Sequence, residues 1–125
     1  MAEITENYVS FEIAKLLKKK GFNEECEYFY DEYEDEDEYV ICSNGGSAYN
    51  DDEHPTYYSM PTLQMAMKWL REVHKLHIEP HIQSYKNYNG NIYNLDGELL
   101  LGFPSESPEQ ACEAAILYCL KNLIK

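Results

Sequence analysis

The segment of residues 24–42 reads EECEYFYDEYEDEDEYVIC. Ten of the chain's 23 acidic residues fall between Glu24 and Glu38, and five aromatic residues (Tyr28, Phe29, Tyr30, Tyr33 and Tyr39) lie within or against them. A purely acidic tract cannot bury enough apolar surface to offset the entropy of ordering, and it stays disordered. This one is different, because residues 28–33 and 39–41 are strand-favouring. Glu34, Asp35, Glu36 and Asp37 separate the two runs, which predicts a hairpin with a charged tip. Like charges crowded at a tip repel, so something must offset them: solvent, a cation, lysines from a neighbouring helix, or a partner.

Around this hairpin the apolar periodicity predicts three helices. In the first, residues 9–20, Val9, Ile13, Leu16 and Leu17 share a face, with Ser10 as N-cap and Gly21 as the residue that ends it. Lys18, Lys19 and Lys20 crowd its last turn, where the helix dipole favours cations. The second begins near Pro61-Thr62 and runs to about Lys75; Leu63, Ala66, Met67, Leu70 and Val73 form its apolar face, and Gln64, Lys68, Arg71 and Lys75 a polar stripe. The third starts at Ser107-Pro108-Glu109-Gln110, a capping pattern with proline in the first turn, and runs to about Ile124. It is apolar almost all round, so it is either central to the fold or a dimer surface.

Between the helices, residues 43–60 hold Gly45-Gly46, Asn50-Asp51-Asp52 and His54-Pro55 and predict a long loop. Residues 76–85 predict a strand with Pro80 on an edge, residues 88–91 a turn at Asn89-Gly90, and residues 91–95 and 98–103 two short strands about Asp96-Gly97. The fold expected is a single α+β domain over residues 1–125: three helices packed on an antiparallel sheet of about four strands, in the order α-ββ-α-ββ-α. FEIAKLL at residues 11–17 and LQMAMKW at residues 63–69 match weakly at an offset of 52 residues, the trace expected of a degenerate duplication.

A net charge of −13 argues against direct nucleic-acid binding, which needs clustered Lys and Arg, and against adsorption to anionic membranes. It leaves a basic protein, a cation or solubility as its use. No basic and apolar leader and no membrane-length apolar run are evident, which predicts a cytoplasmic chain. Cys26, Cys42, Cys112 and Cys119 contain no CxxC spacing, and Cys112 and Cys119 stand about 10 Å apart along a helix, beyond disulfide reach. They read as reduced thiols.

The segments YVSFEIAKLLKKKGF, PTLQMAMKWLREVHKLHI and SPEQACEAAILYCLKNLI together resemble small acidic proteins of unknown activity from gut Bacteroidetes and their phages. The resemblance covers about half the chain, mainly its helices. It implies an intracellular, phage-related protein and brings no activity and no site residues.

The residues that could carry chemistry are few. His74, His77 and His81 have the spacing HxxHxxxH and are a candidate zinc or nickel set, with no glutamate beside His74 to act as a base. An EF-hand loop starting at Asp31 would need glycine where Glu36 stands and glutamate where Cys42 stands. No phosphate-cradling glycine loop and no nucleophile motif is present, so no catalytic residue and no cofactor are assigned. A small enzyme would need a cleft near residues 43–60. The leading expectation is a non-enzymatic interaction module. Tyr28, Tyr30, Asp31, Tyr33, Glu34, Asp35, Glu36, Asp37, Glu38 and Tyr39 are its candidate surface and a basic protein its partner. One form of it is a phage-borne inhibitor that offers carboxylates where a DNA-binding host protein expects phosphates.

Overall fold

The computed structural model describes residues 7–33, 38–47, 50 and 53–124. It is an α+β structure with three helices and two three-stranded antiparallel sheets. The contacts gather into two compact units, Tyr8–Thr62 and Leu63–Lys125 with Met1–Asn7.

The first unit contains α1 (Phe11–Lys19), β1 (Cys26–Glu32), β2 (Tyr39–Ser47) and β3 (Tyr57–Ser59). Ser10 caps α1, its hydroxyl accepting from the Ile13 amide at 3.2 Å. Gly21 ends the helix at φ +97°, a conformation that costs any L side chain about 1–2 kcal/mol. The Phe22 amide then reaches the Leu17 carbonyl at 2.9 Å and the Gly21 amide the Lys18 carbonyl at 3.2 Å, the two bonds of a Schellman cap. That cap drives Phe22 into the interior, where it is fully buried with Ile13, Ala14 and Leu17. The sheet order is β2-β1-β3, so the first strand lies in the middle. The hairpin expected from the sequence is present: β1 pairs with β2 from Glu32↔Tyr39 to Tyr28↔Ser43.

The second unit contains α2 (Leu63–His74), β4 (His77–Ser84), β5 (Asn87–Tyr93), β6 (Leu99–Ser105) and α3 (Pro108–Tyr118), which widens into a π-helical turn at Cys119–Leu123. Its sheet is a simple meander, β4-β5-β6. Ser107 caps α3 by accepting from the Gln110 amide at 3.2 Å. Ala111, Cys112, Ala115, Ile116, Cys119 and Leu120 on α3 and its closing turn are buried, and α3 packs on all three strands. Among the described residues no helix is long and apolar enough to cross a membrane.

The single four-stranded sheet and the order α-ββ-α-ββ-α are corrected to α-βββ-α-βββ-α. Two local causes account for it. In residues 43–60, β2 continues through Gly45 and Gly46 to Ser47, because the register jumps from Tyr28↔Ser43 to Cys26↔Ser47 and absorbs the extra residues as a bulge. The remaining strand, β3, is three residues long, too short to show a two-residue period. In the second unit, Asn89-Gly90 is mid-strand rather than a turn, and the chain reverses at Tyr85-Lys86, with Lys86 at φ +58°. Gly90 is needed because α3 lies against it: a Cβ there would stand 2.2 Å from the Ala111 carbonyl oxygen. Both units run helix then three strands, in keeping with the offset of 52 residues, yet the strand order differs, so one sheet is not a copy of the other.

Two predictions follow from the packing of α3. Gly90→Ala must push the helix off the sheet and is expected to cost about 3 kcal/mol or more, read from urea unfolding; Gly97→Ala, with open space around it, is expected to cost only its backbone strain of about 1–2 kcal/mol. Burial also pushes the thiols up, Cys112 to about 11 and Cys119 to about 12. A raised folded-state value stabilises the fold below the unfolded thiol value, near 9, and that contribution is lost as pH climbs towards 12. Urea midpoints are therefore expected to fall above about pH 9 and to fall less steeply in Cys112→Ala/Cys119→Ala.

Candidate functional site

The acidic hairpin grows out of a sheet that α1 holds in place. Between residues 8 and 62 there are 14 acidic residues and four basic ones, against seven and six in residues 63–125. All four cations of the first unit are lysines of α1 or its C-cap, and two of them reach the sheet. Lys15 Nζ lies 3.1 Å from Glu32 Oε2 and 4.9 Å above the Phe11 ring. Lys18 Nζ donates to the carbonyls of His54 and Tyr57, each at 2.7 Å, and sits 4.9 Å over the Tyr58 ring. Of the four ways of offsetting the hairpin's charge, lysines from the first helix are in place at its base.

Aromatic rings complete the attachment. Phe11 of α1 meets Tyr30, Tyr39 and Tyr58 with ring centroids 5.3, 4.5 and 5.7 Å away. Tyr30 and Tyr39 meet edge to face at 4.9 Å. Offset and edge-on rings of this kind add stability beyond the area they bury. On the far side, Asn50 ties the stretch after β2 to both neighbours: its side chain accepts from the Ser59 amide at 2.9 Å and donates to the Phe22 carbonyl at 2.7 Å.

The candidate surface residues therefore divide. Tyr30 is buried, and its hydroxyl donates to the Val9 carbonyl at 2.6 Å, so it serves the core and not a surface. Tyr28 is half-buried edge-on to Tyr8, at 5.5 Å. Asp31 accepts from the Thr56 hydroxyl at 2.9 Å. Tyr33, Glu38 and Tyr39 are exposed beside the hairpin tip, and the Tyr33 amide donates to the Glu38 carbonyl at 2.9 Å. Glu34, Asp35, Glu36 and Asp37 lie outside the described residues.

Two residues that sequence reasoning left out belong to this surface. Val40 and Ile41 are 37% and 55% exposed, and with Tyr39 they make an apolar start to β2, an edge strand of the sheet. β2 reads YVICSNGGS and contains no charged residue and no proline, two of the devices that keep a strand edge from pairing with another chain, and its bulge lies beyond Ser43. Acidic runs flank it on both sides in sequence.

The histidines do not form a set. His77 and His81 share a face of β4 but are four residues apart, about 13 Å along a strand. His74 stands edge-on to Trp69 at 4.7 Å, and His54 stacks on Tyr57 in the other unit. Among the described residues no three His, Cys, Asp or Glu side chains are grouped to hold a metal ion. Each unit carries a depression among its described residues. One, of about 310 Å³, lies along α1 at Phe11, Lys15 and Leu16; the other, of about 490 Å³, opens beyond the end of α2. Neither is lined by residues 43–60, near which a small enzyme would need its cleft.

Compared with models of known protein families, with curated proteins and with solved structures, the chain finds no match.

The two lysines are expected to differ in weight. Lys18→Met removes charge-assisted bonds to two half-buried carbonyls and is expected to cost about 1–3 kcal/mol in urea unfolding. Lys15→Met breaks a pair whose members are 41% and 23% exposed and is expected to cost less than about 1 kcal/mol.

Proposed function

We propose that this protein is a non-enzymatic interaction module that binds an extended basic segment of a partner protein along β2. The reading rests on one observation: β2 is an uncharged nine-residue edge strand, opening on exposed Tyr39, Val40 and Ile41, in a unit that is otherwise strongly acidic. An edge strand offers a row of backbone donors and acceptors, and a segment that adds to it gains main-chain hydrogen bonds. Alternate side chains of that segment would rest on Tyr39 and Ile41, and its Lys or Arg would suit a unit with 14 acidic residues against four basic ones. The same net negative charge disfavours a second copy of this chain on the edge. The charge then selects the partner and speeds encounter, while the strand supplies affinity.

The phage-borne form of this reading, an inhibitor aimed at DNA-binding host proteins, needs free carboxylates in phosphate-like rows. Asp31 and Glu32, at the base of the hairpin, are engaged with Thr56, Lys15 and Tyr58. Strand addition asks nothing of them, and this favours it.

Selection from a display library of extended peptides tests the proposal. The expected binders alternate apolar residues and carry Lys or Arg, bind more weakly as salt rises, and lose affinity at least tenfold to Ile41→Lys, which charges the edge. Failure to enrich such peptides, or binding indifferent to salt and to Ile41→Lys, would refute it.

A further inference from the structure

The depression beyond the end of α2 lies wholly in the second unit, and its lining differs in character from the rest of this acidic chain. Arg71 comes from the last turn of α2 and Lys75 from just beyond it, His77 and Glu79 from the start of β4, Tyr93 from the end of β5, and Leu95 from the turn that follows. The volume, about 490 Å³, is that of a small-molecule site. Two of the eight lining residues are cations, Arg71 and Lys75, in a protein with ten Lys and Arg against 23 Asp and Glu. The periodicity of α2 marks Arg71 and Lys75 only as part of a solvated stripe. The fold brings them to β4 because α2 ends at His74: Lys75 takes φ +59° and the Leu76 amide turns back to the Leu70 carbonyl at 3.1 Å.

The remaining walls are fixed. His77 and Tyr93 are cross-strand partners with ring centroids 6.2 Å apart, and the Tyr93 hydroxyl accepts from Asn91 Nδ2 at 3.1 Å. Asn94 locks the turn by accepting from the Asp96 and Glu98 amides at 3.0 and 2.9 Å, which leaves Leu95 standing out, 75% exposed, as an apolar flank. Arg71 makes an exposed contact with Glu72 at 3.6 Å, and the Lys75 ammonium, bonded to the Glu72 carbonyl at 2.9 Å, keeps further donors.

We propose that this depression binds a phosphomonoester carrying a flat ring, the chemistry of a mononucleotide. A phosphomonoester near neutral pH carries about −1.5 to −2 charge, which Arg71 and Lys75 match, and the planar guanidinium suits two of its oxygens. The ring rests between Tyr93 and Leu95. Glu79, whose carboxylate is 3.9 Å from His77 Nε2, is placed to accept from an amino group on the ring.

Calorimetric titration of the full chain with AMP, adenosine and inorganic phosphate, followed by amide NMR, tests this. AMP is expected to saturate, with shifts centred on residues 71–79 and 93–97, and to bind at least tenfold more tightly than adenosine or phosphate. Arg71→Gln and Tyr93→Leu are each expected to weaken AMP tenfold or more, and Arg71→Lys to retain part of the affinity. The thermal midpoint of Arg71→Gln, an exposed site, serves as the folding control. No saturation at millimolar AMP, shifts centred elsewhere, phosphate binding as tightly as AMP, or unchanged affinity in folded Arg71→Gln would each overturn the proposal.

Discussion

One face of α1 fastens the acid-rich sheet of the first unit from its base. Lys18 places its ammonium on two backbone carbonyls that precede and begin β3, and Lys15 meets Glu32 at the end of β1. The Schellman cap at Gly21 and the burial of Phe22 fix the end of the helix that carries these lysines. Phe11 at the other end gathers Tyr30, Tyr39 and Tyr58 around one ring. With the base of the hairpin secured from inside the unit, its acids and the β2 edge need not be used for stability.

The second unit solves a different problem. α3 has too many apolar sides for a surface helix, and it buries them by lying closely on a meander whose central strand gives way at Gly90. The tight turn that ends α2 then delivers Arg71 and Lys75 to the start of β4. The uncharged edge of β2 and the basic depression thus belong to separate units.

Much of this was legible in the residues. Ser10, Gly21 and Ser107 act as read, and so does the hairpin of β1 and β2, because caps and turns are local chemistry. What misled was glycine and asparagine used for other ends. Asn89-Gly90 has the composition of a turn but serves a helix–sheet approach that no local pattern records. Gly45-Gly46 lies in a bulge. Tyr30 has the same composition signal as Tyr33, and only its place on the helix-facing side of the middle strand removes it from the surface. The exposure of Val40 and Ile41 depends on β2 being an edge, and the basic depression depends on three-dimensional convergence; neither has a sequence signal.

Strand addition on β2 is the central claim, and amide hydrogen exchange reads it at the backbone. With a saturating basic peptide of the selected type bound, every second amide of residues 39–43 that points away from β1 is expected to gain protection, while the amides already bonded to β1 change little. Protection confined to the tips of the acidic segment, or uniform slowing without this alternation, would contradict a partner that binds as a strand.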